Sequence, residues 1–585
     1  MLKRSTALLI ALLAVMLLTA CGGSAAQTDT TTDLTSADTP ETTAPAEELA
    51  IIENGAANYR IIRHEEASSA AVKAATRVRE LIGQETGVYP DLSTDWHRKD
   101  ADLDHTTLEI LVGATDYTES ASALAGILYG DYIVTRVDNK LVINAWCDAG
   151  LEAAVTALGR ELFNRAEAGS FTLPADIRLT GTKVDIVNAL PVYDGGNVRA
   201  IYDAGNQNQV LIVDDTTPDE YAAYRRAIET AGYTLYTENA IADNRFATYV
   251  SDQYVINAGY YAYETASRII IEPRTTLPAL EDENKYESKI QPSFAMLGLE
   301  HDSNGVLVQN GLCFIFQLAD GSYIVVDGGF PRQRDAKAIY DYLYAHAPDP
   351  NDITVAGWFI THAHSDHYAA YNLFSQTYAD KVKVEYVIGN FPSDTARIEG
   401  GLGTEGSVGP QIEQNVARFE GAQFIKAHTG YQFFMRDARI EVLYTLESYA
   451  PGVLSYFNTT SLIFTVEIAG QKFNILGDAS NDACNIAYKM YGDTLKSDFV
   501  QTAHHGYTTG STAYGGVTAV YSASAAPVVL WPVGEKDYAG MSSRAYDAHL
   551  QELAATKEIF VAGSREVRFM LPYAAGTSGY ASILK

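Results

Sequence analysis

Three histidines and an aspartate fall within six positions, His362, His364, Asp366 and His367, in a chain of 585 residues that holds 12 histidines. They follow an apolar run, Ile353 to Ile360, whose polar flanks mark a buried strand. Tyr371, Phe374 and Tyr378 then recur at helical spacing. The cluster therefore stands where a strand ends and a helix begins. In an extended stretch His362 and His364 point the same way, so two imidazoles can share one ion. Asp366 and His367, where the chain turns into the helix, can aim at a second. Imidazole nitrogen and carboxylate oxygen suit zinc and similar borderline ions. The plainer alternative is a set of surface histidines beside a helix cap. It would need this density to be an accident of composition.

The surrounding elements position the cluster. Leu312 to Leu318 and Ser322 to Asp327 read as strands joined by a turn at Asp320-Gly321 and ending in Asp327-Gly328-Gly329. A helix is expected over Ala336 to His346. Downstream, the strand Lys472 to Leu476 runs into Gly477-Asp478-Ala479. Gly477 lets the backbone turn, and Asp478 stands at the strand end. Its competing role is structural, with Asp478 or Asn481 capping a helix over Ser480 to Tyr491. The stretch Ser497 to Ala503 leads into His504-His505-Gly506. Neighbours on a strand face opposite ways, so these two histidines would not serve one ion equally.

The cluster, the Asp327-Gly328 hairpin end and Gly477-Asp478 together resemble the metallo-β-lactamase fold superfamily of metal-dependent hydrolases. His504-His505-Gly506 and Asn458-Thr459-Thr460-Ser461-Leu462 resemble one branch of it, which includes DNA-internalisation competence proteins and a surface phosphorylcholine esterase. The resemblance implies an α/β fold, an αββα sandwich over residues 292–585. It implies a first metal on His362 and His364 and a second on Asp366 and His367, with Asp478 bridging both. One of His504 and His505 completes the second; which one stays open. Many members carry a further histidine between cluster and bridge, and here only His428 is available. Without it the first metal rests on His362, His364, Asp478 and water. Two zinc ions are expected, and manganese or iron suit the same donors. Catalytic roles fall to Asp366, as orienter and proton acceptor, and to His505 or His504 as general acid.

These features point to a metal-dependent hydrolase, first of all a phosphodiesterase acting on an envelope or nucleotide substrate. The second reading is a lactone, thioester or amide hydrolase with the same ligands. The third is a non-catalytic glycan-binding surface lipoprotein, against which the intact ligand set weighs.

The rest of the chain places the enzyme. Residues 1–20 read as a secretory signal, with Lys3 and Arg4 before an apolar run from Ala7 to Leu18. Leu18-Thr19-Ala20-Cys21 resembles a bacterial lipobox, which implies a lipid on Cys21 and a protein tethered to the membrane outside the cytoplasm. Residues 21–49 are rich in Thr, Ala, Ser, Asp and Glu and read as a disordered tether. A net charge of −31 argues against a nucleic-acid partner. Cys147, Cys313 and Cys484 form no close pair, and Cys147 and Cys313 read as core residues.

Residues 50–190 alternate strands and helices, including a helix from Ala67 to Ile82 closed by Gly83 and a hairpin over Tyr132 to Ala145. Leu108 to Ser120 with that hairpin is similar to the small non-catalytic domain preceding some glycoside hydrolases, which implies glycan contact. A spacer without a ligand is the favoured alternative. Residues 191–291 form an α+β segment rich in tyrosine, of a kind that stacks on sugars or fills a core. Its boundary with residues 292–585 is expected at Leu277 to Ser288.

Overall fold

The computed structural model describes residues 48–99, 101–205, 207–301, 307–393, 408–452, 454, 456–507, 515–534, 538, 555–562 and 567–578. The signal segment, Cys21 and nearly all of the tether lie outside the described residues.

The first region is a six-stranded sheet in the order Leu92–Thr94, Arg60–Arg63, Glu109–Val112, Lys140–Ala145, Asp131–Val137, Arg178–Thr182. Helices Ser69–Thr86 and Asp148–Arg165 pack on it through Val78, Ile82, Val155 and Leu158. The first helix runs past the expected stop. Gly83 lies inside it, and the left-handed residue that ends it is Gly87, at φ 76°. Cys147 is not a core residue; it sits half-buried at the start of the second helix, whereas Cys313 and Cys484 are buried.

The middle region is a six-stranded antiparallel sheet in the order Asn197–Gly205, Asn208–Asp214, Ala266–Pro273, Tyr254–Tyr261, Asn244–Val250, Thr234–Ile241. The helix Pro218–Thr230 begins with a reciprocal Thr217/Glu220 capping box and covers one face. Tyr221, Tyr224, Tyr249, Tyr260 and Tyr261 are buried, so these rings fill the core rather than present a platform for sugars.

The last region is a two-sheet sandwich. One seven-stranded sheet runs Gln423–Lys426, Val382–Gly389, Ile353–Phe359, Tyr323–Val326, Phe314–Gln317, Ser293–Met296, Val567–Met570. The other runs Gln432–Met435, Ala438–Tyr444, Ile463–Ile468, Gln471–Ile475, Phe499–Gln501, Val528–Trp531, Glu558–Val561. Phe294, Phe316, Phe359, Phe464, Phe473 and Phe499 meet between them. Helices Gln333–His346 and Ser365–Tyr378 cover the outside of the first sheet, and Asn481–Tyr491 and Gly515–Ser524 cover the outside of the second. The result is the expected αββα arrangement. Both sheets have parallel central strands, and ligands of α/β folds gather at the carboxyl ends of such strands.

The middle sheet is wired to the sandwich by buried charge. His428 donates Nδ1–H to Glu447 Oε2 at 3.1 Å and Nε2–H to Glu272 Oε1 at 3.0 Å. Lys426 Nζ lies 3.2 Å from Glu272 and 3.5 Å from Glu447. Arg268, on the same strand as Glu272, donates to the carbonyls of Glu447 and Ala450. His428 is therefore not free to bind a metal: both ring nitrogens carry protons held by carboxylates. Burial pulls its pKa down, but Glu447 and Glu272 outweigh burial and push it up to about 9. Burial likewise opposes ionisation of Glu272, but Lys426 and His428 bring its pKa down to about 2.

The signs fix a pH profile. The His428 contribution is complete below its ordinary 6.5 and is lost as pH rises through about 9. The Glu272 contribution is complete above its ordinary 4.5 and is lost as pH falls through about 2. Stability from this cluster is thus greatest between pH 4.5 and 6.5. His428→Gln should cost about 3 kcal/mol at pH 6, because it strands buried carboxylates. It should also flatten the loss of thermal stability between pH 6.5 and 9, read by calorimetric melting.

Candidate metal centre

The strand Tyr323–Val326 ends at Asp327, whose backbone is left-handed at φ 60° and whose side chain is fully buried. Its Oδ1 accepts the Thr361 N–H at 2.8 Å. Its Oδ2 accepts the Thr361 hydroxyl and the His367 Nδ1–H, each at 2.8 Å. That last bond leaves the His367 Nε2 lone pair pointing away from Asp327. His505 is oriented in the same manner, its Nδ1–H donated to the Pro532 carbonyl at 3.0 Å. The two Nε2 atoms face each other at 3.2 Å.

Two carboxylates close the set. Asp478 Oδ1 lies 3.1 Å from His367 Nε2 and 3.5 Å from His505 Nε2. Asp366 Oδ2 lies 3.3 Å from His505 Nε2 and 3.9 Å from His367 Nε2. Donors at zinc–ligand bond lengths of roughly 2.0–2.1 Å around a tetrahedron stand roughly 3.3 Å apart, so these separations are the edges of such a shell. The two ring Nε2 atoms face each other and the two carboxylates, and Asp478 Oδ1 accepts no well-formed hydrogen bond. Electrostatics agree. Burial disfavours charge on His367, yet Asp478, Asp327 and Asp366 hold its pKa well above the ordinary value. The carboxylates demand a cation at this point. The residues present fit a metal ion.

A second set adjoins the first. His362, fully buried, places Nε2 3.0 Å from His364 Nδ1 and 3.8 Å from Asp478 Oδ2. Burial, then His367, keeps His362 neutral, its pKa well below the ordinary value, so a lone pair is free for a ligand. Asp478 thus offers Oδ1 to one set and Oδ2 to the other.

Local backbone explains how Asp478 is released for this. Gly477 takes φ 52°, and an added Cβ would stand 2.8 Å from that of Thr361. Gln501 fixes the turn, accepting the Leu476 and Gly477 N–H groups at 2.9 Å each. Ser480, not Asp478 or Asn481, caps the helix that follows. Ser461 Oγ accepts the Asp478 N–H at 3.2 Å.

His504 and His505 do not sit on the strand, which ends at Gln501. They occupy a turn, Ala503–Gly506, with left-handed φ of 50° and 53°. The turn throws the rings apart, and their centroids are 6.4 Å from each other. His505 joins the four-donor set, while His504 Nε2 stays 3.9 Å from Asp478 Oδ2 at the edge. His428 is in neither set.

Several contributors have no local signature. Phe457 stacks on His364 with ring centroids 5.4 Å apart. Tyr456 sets its ring edge-on to His504 at 6.5 Å. Burial, and next the negative charge of Asp478, raise the Tyr456 pKa, so its hydroxyl stays protonated. Asp327 was visible as a strand end, but its bond to His367 spans 40 residues. A separate group, His64, Asp95 and Asp116, lies in the first region. There the Asp95 oxygens already accept the N–H groups of Glu65 and Asp116, each at 2.9 Å, a loop-closing role.

Residues 307–432 match the sequence model of the Metallo-beta-lactamase superfamily. No curated protein matches the chain. Among solved structures, the metallo-beta-lactamase fold protein YhfI from Bacillus subtilis is 11% identical over 48% of this chain and 100% of its own, with a TM-score of 0.30. CmlA, a diiron β-hydroxylase from Streptomyces venezuelae, is 12% identical over 52% of this chain and 55% of its own, with a TM-score of 0.30. The short form of human tRNase Z is 13% identical over 47% of this chain and 98% of its own, with a TM-score of 0.28. The family match spans the His362-to-His367 cluster and the strands that carry it, and the carboxyl-terminal part of this chain holds a metallo-beta-lactamase superfamily domain.

Proposed function

We propose that this protein is an extracytoplasmic metal-dependent hydrolase, tethered by a lipid on Cys21, that cleaves phosphodiesters with two zinc ions. The observation that carries the reading is the convergence of Asp366, His367, Asp478 and His505, with ring lone pairs turned inward by Asp327 and the Pro532 carbonyl. His362, His364 and Asp478 would hold the first ion, and Asp366, His367, Asp478 and His505 the second. Bound zinc supplies Lewis acidity and a water that ionises near neutral pH. The histidine-rich donor set favours zinc over manganese or iron.

The chain's own groups do the rest. Asp366 is 24% exposed, open enough to orient the attacking water and take its proton. His505 is committed as a ligand, so the general-acid role falls to His504, 21% exposed at the edge of the set, where burial holds its pKa below the ordinary value. Residues 50–190 serve as a spacer and residues 191–291 as a brace of the catalytic domain, residues 292–585, through the Glu272 and Arg268 contacts. The buried tyrosines of the middle sheet weigh against the glycan-binding reading. A lactone, thioester or amide hydrolase would use the same donors, and a substrate panel separates it.

Elemental analysis should find two zinc per chain, and bis(p-nitrophenyl) phosphate should be turned over. Chelation should abolish turnover and zinc should restore it. Asp478→Ala should lose both metals and fall to background. Asp327→Ala should keep the fold but bind zinc roughly 10- to 100-fold more weakly, since it loosens a ligand without removing one. Two zinc ions with cleavage of carbonyl esters alone would move the assignment to the second reading.

A further inference from the structure

The segment Tyr456 to Ser461 touches both metal sets, and most of its contacts are accounted for. Phe457 packs on His364, Thr459 Oγ1 donates to the hydroxyl of the helix-capping Ser480 at 2.9 Å, and Ser461 supports Asp478. The residue left over is Tyr456. It is 38% exposed, with its ring beside His504.

Its hydroxyl is not idle. Asn458, fully buried, donates Nδ2–H to Tyr456 Oη at 3.0 Å. The other end of that carboxamide, Oδ1, has no hydrogen-bond partner. A fully buried amide costs free energy unless its bonds are made. Spending one of them on a half-exposed phenol fixes where that phenol points. Because Oη accepts there, its own proton is directed elsewhere, and no described side chain receives it. A short, hydrogen-bonded 3₁₀ turn, Phe457–Thr460, anchors the segment through the Thr459 N–H to the Tyr456 carbonyl at 3.1 Å. The hydroxyl is thus held in place before any substrate arrives, on the same segment that supports a ligand of each ion.

We propose that the Tyr456 hydroxyl, aimed by Asn458, donates a hydrogen bond to a non-bridging oxygen of the substrate's tetrahedral phosphoryl group. The proposal rests on the hydrolase reading above for its substrate class. A fixed donor directed at developing charge lowers the barrier without reorganising during the reaction. Tyr456 is then a catalytic residue, distinct from the metal ligands and from His504.

The test compares the zinc-loaded full chain with Tyr456→Phe, which keeps the ring and removes only the hydroxyl, both the donor and the acceptor for Asn458. Turnover of bis(p-nitrophenyl) phosphate is measured alongside calorimetric titration with inorganic phosphate. Zinc content should be unchanged, and the melting temperature should fall by only a few degrees, about what leaving the Asn458 Nδ2 without its acceptor costs. In Tyr456→Phe kcat should fall about a hundred-fold, as for loss of one fixed oxyanion donor, with KM little altered. Phosphate should bind about tenfold more weakly, as for a hydrogen bond to a charged acceptor. Asn458→Asp, which turns the aiming donor into an acceptor that captures the phenol proton, should reproduce both losses. Wild-type turnover and phosphate affinity in Tyr456→Phe would overturn the proposal. So would losses that only track lost zinc, or a wild type that binds no phosphate. If the wild type binds phosphate yet cleaves no phosphodiester, the hydrolase reading fails, and the difference in phosphate affinity still decides the role of Tyr456.

Discussion

One buried carboxylate sets the geometry on which the site depends. Asp327 holds the Thr361 amide with one oxygen, and the Thr361 hydroxyl and the His367 ring with the other. The first grip fixes where the strand Ile353–Phe359 gives way to the His362 to His367 loop. The second fixes the tautomer of His367 and the direction of its lone pair. A fully buried carboxylate is costly unless its oxygens are occupied, and here three donors occupy them. Burial still raises the Asp327 pKa, so the ring and the two Thr361 donors are needed to keep the carboxylate usable.

The second sheet answers the first across the sandwich. Gly477 and Gln501 bring Asp478 to the same edge, and the left-handed turn at His504 and His505 swings one ring inward. Gly506, at φ 82°, lets that turn pass under Trp531, whose Nε1 donates to the His505 carbonyl at 2.8 Å. An added Cβ at Gly506 would stand 2.5 Å from the indole. Each sheet thus contributes donors to both sets, and the phenylalanine core between the sheets holds them in register. The middle sheet reinforces the same edge from outside, through Glu272 and Arg268, to the loops that lead into Tyr456 and Phe457.

Much of this was legible in the chain because it is local. The His-x-His-x-Asp-His spacing and the Gly-Asp strand end each depend on a few consecutive residues, and the αββα arrangement was implied by the resemblance those motifs carry. What was not legible depends on distance. His428 looks like a ligand by its place between cluster and bridge. Its partner Glu272 lies 156 residues upstream, in a region whose tyrosines and strands gave no hint of contact. The choice between His504 and His505 could not come from strand alternation, because no strand continues there; the turn's left-handed backbone decides it. Likewise Gly83 was a plausible helix stop, but its neighbours sustain helical bonds to Gly87. Asp478 was a plausible cap until Ser480 took that role.

The central claim is that two adjoining donor sets hold a pair of metal ions. Anomalous scattering at the zinc absorption edge, from crystals of the zinc-loaded protein, tests it most directly. The account predicts two peaks. One should lie roughly 2.0–2.2 Å from donor atoms of Asp366, His367, Asp478 and His505, the other at that distance from His362, His364 and Asp478. Absence of both peaks, or a peak at His428 between its glutamates, would contradict it.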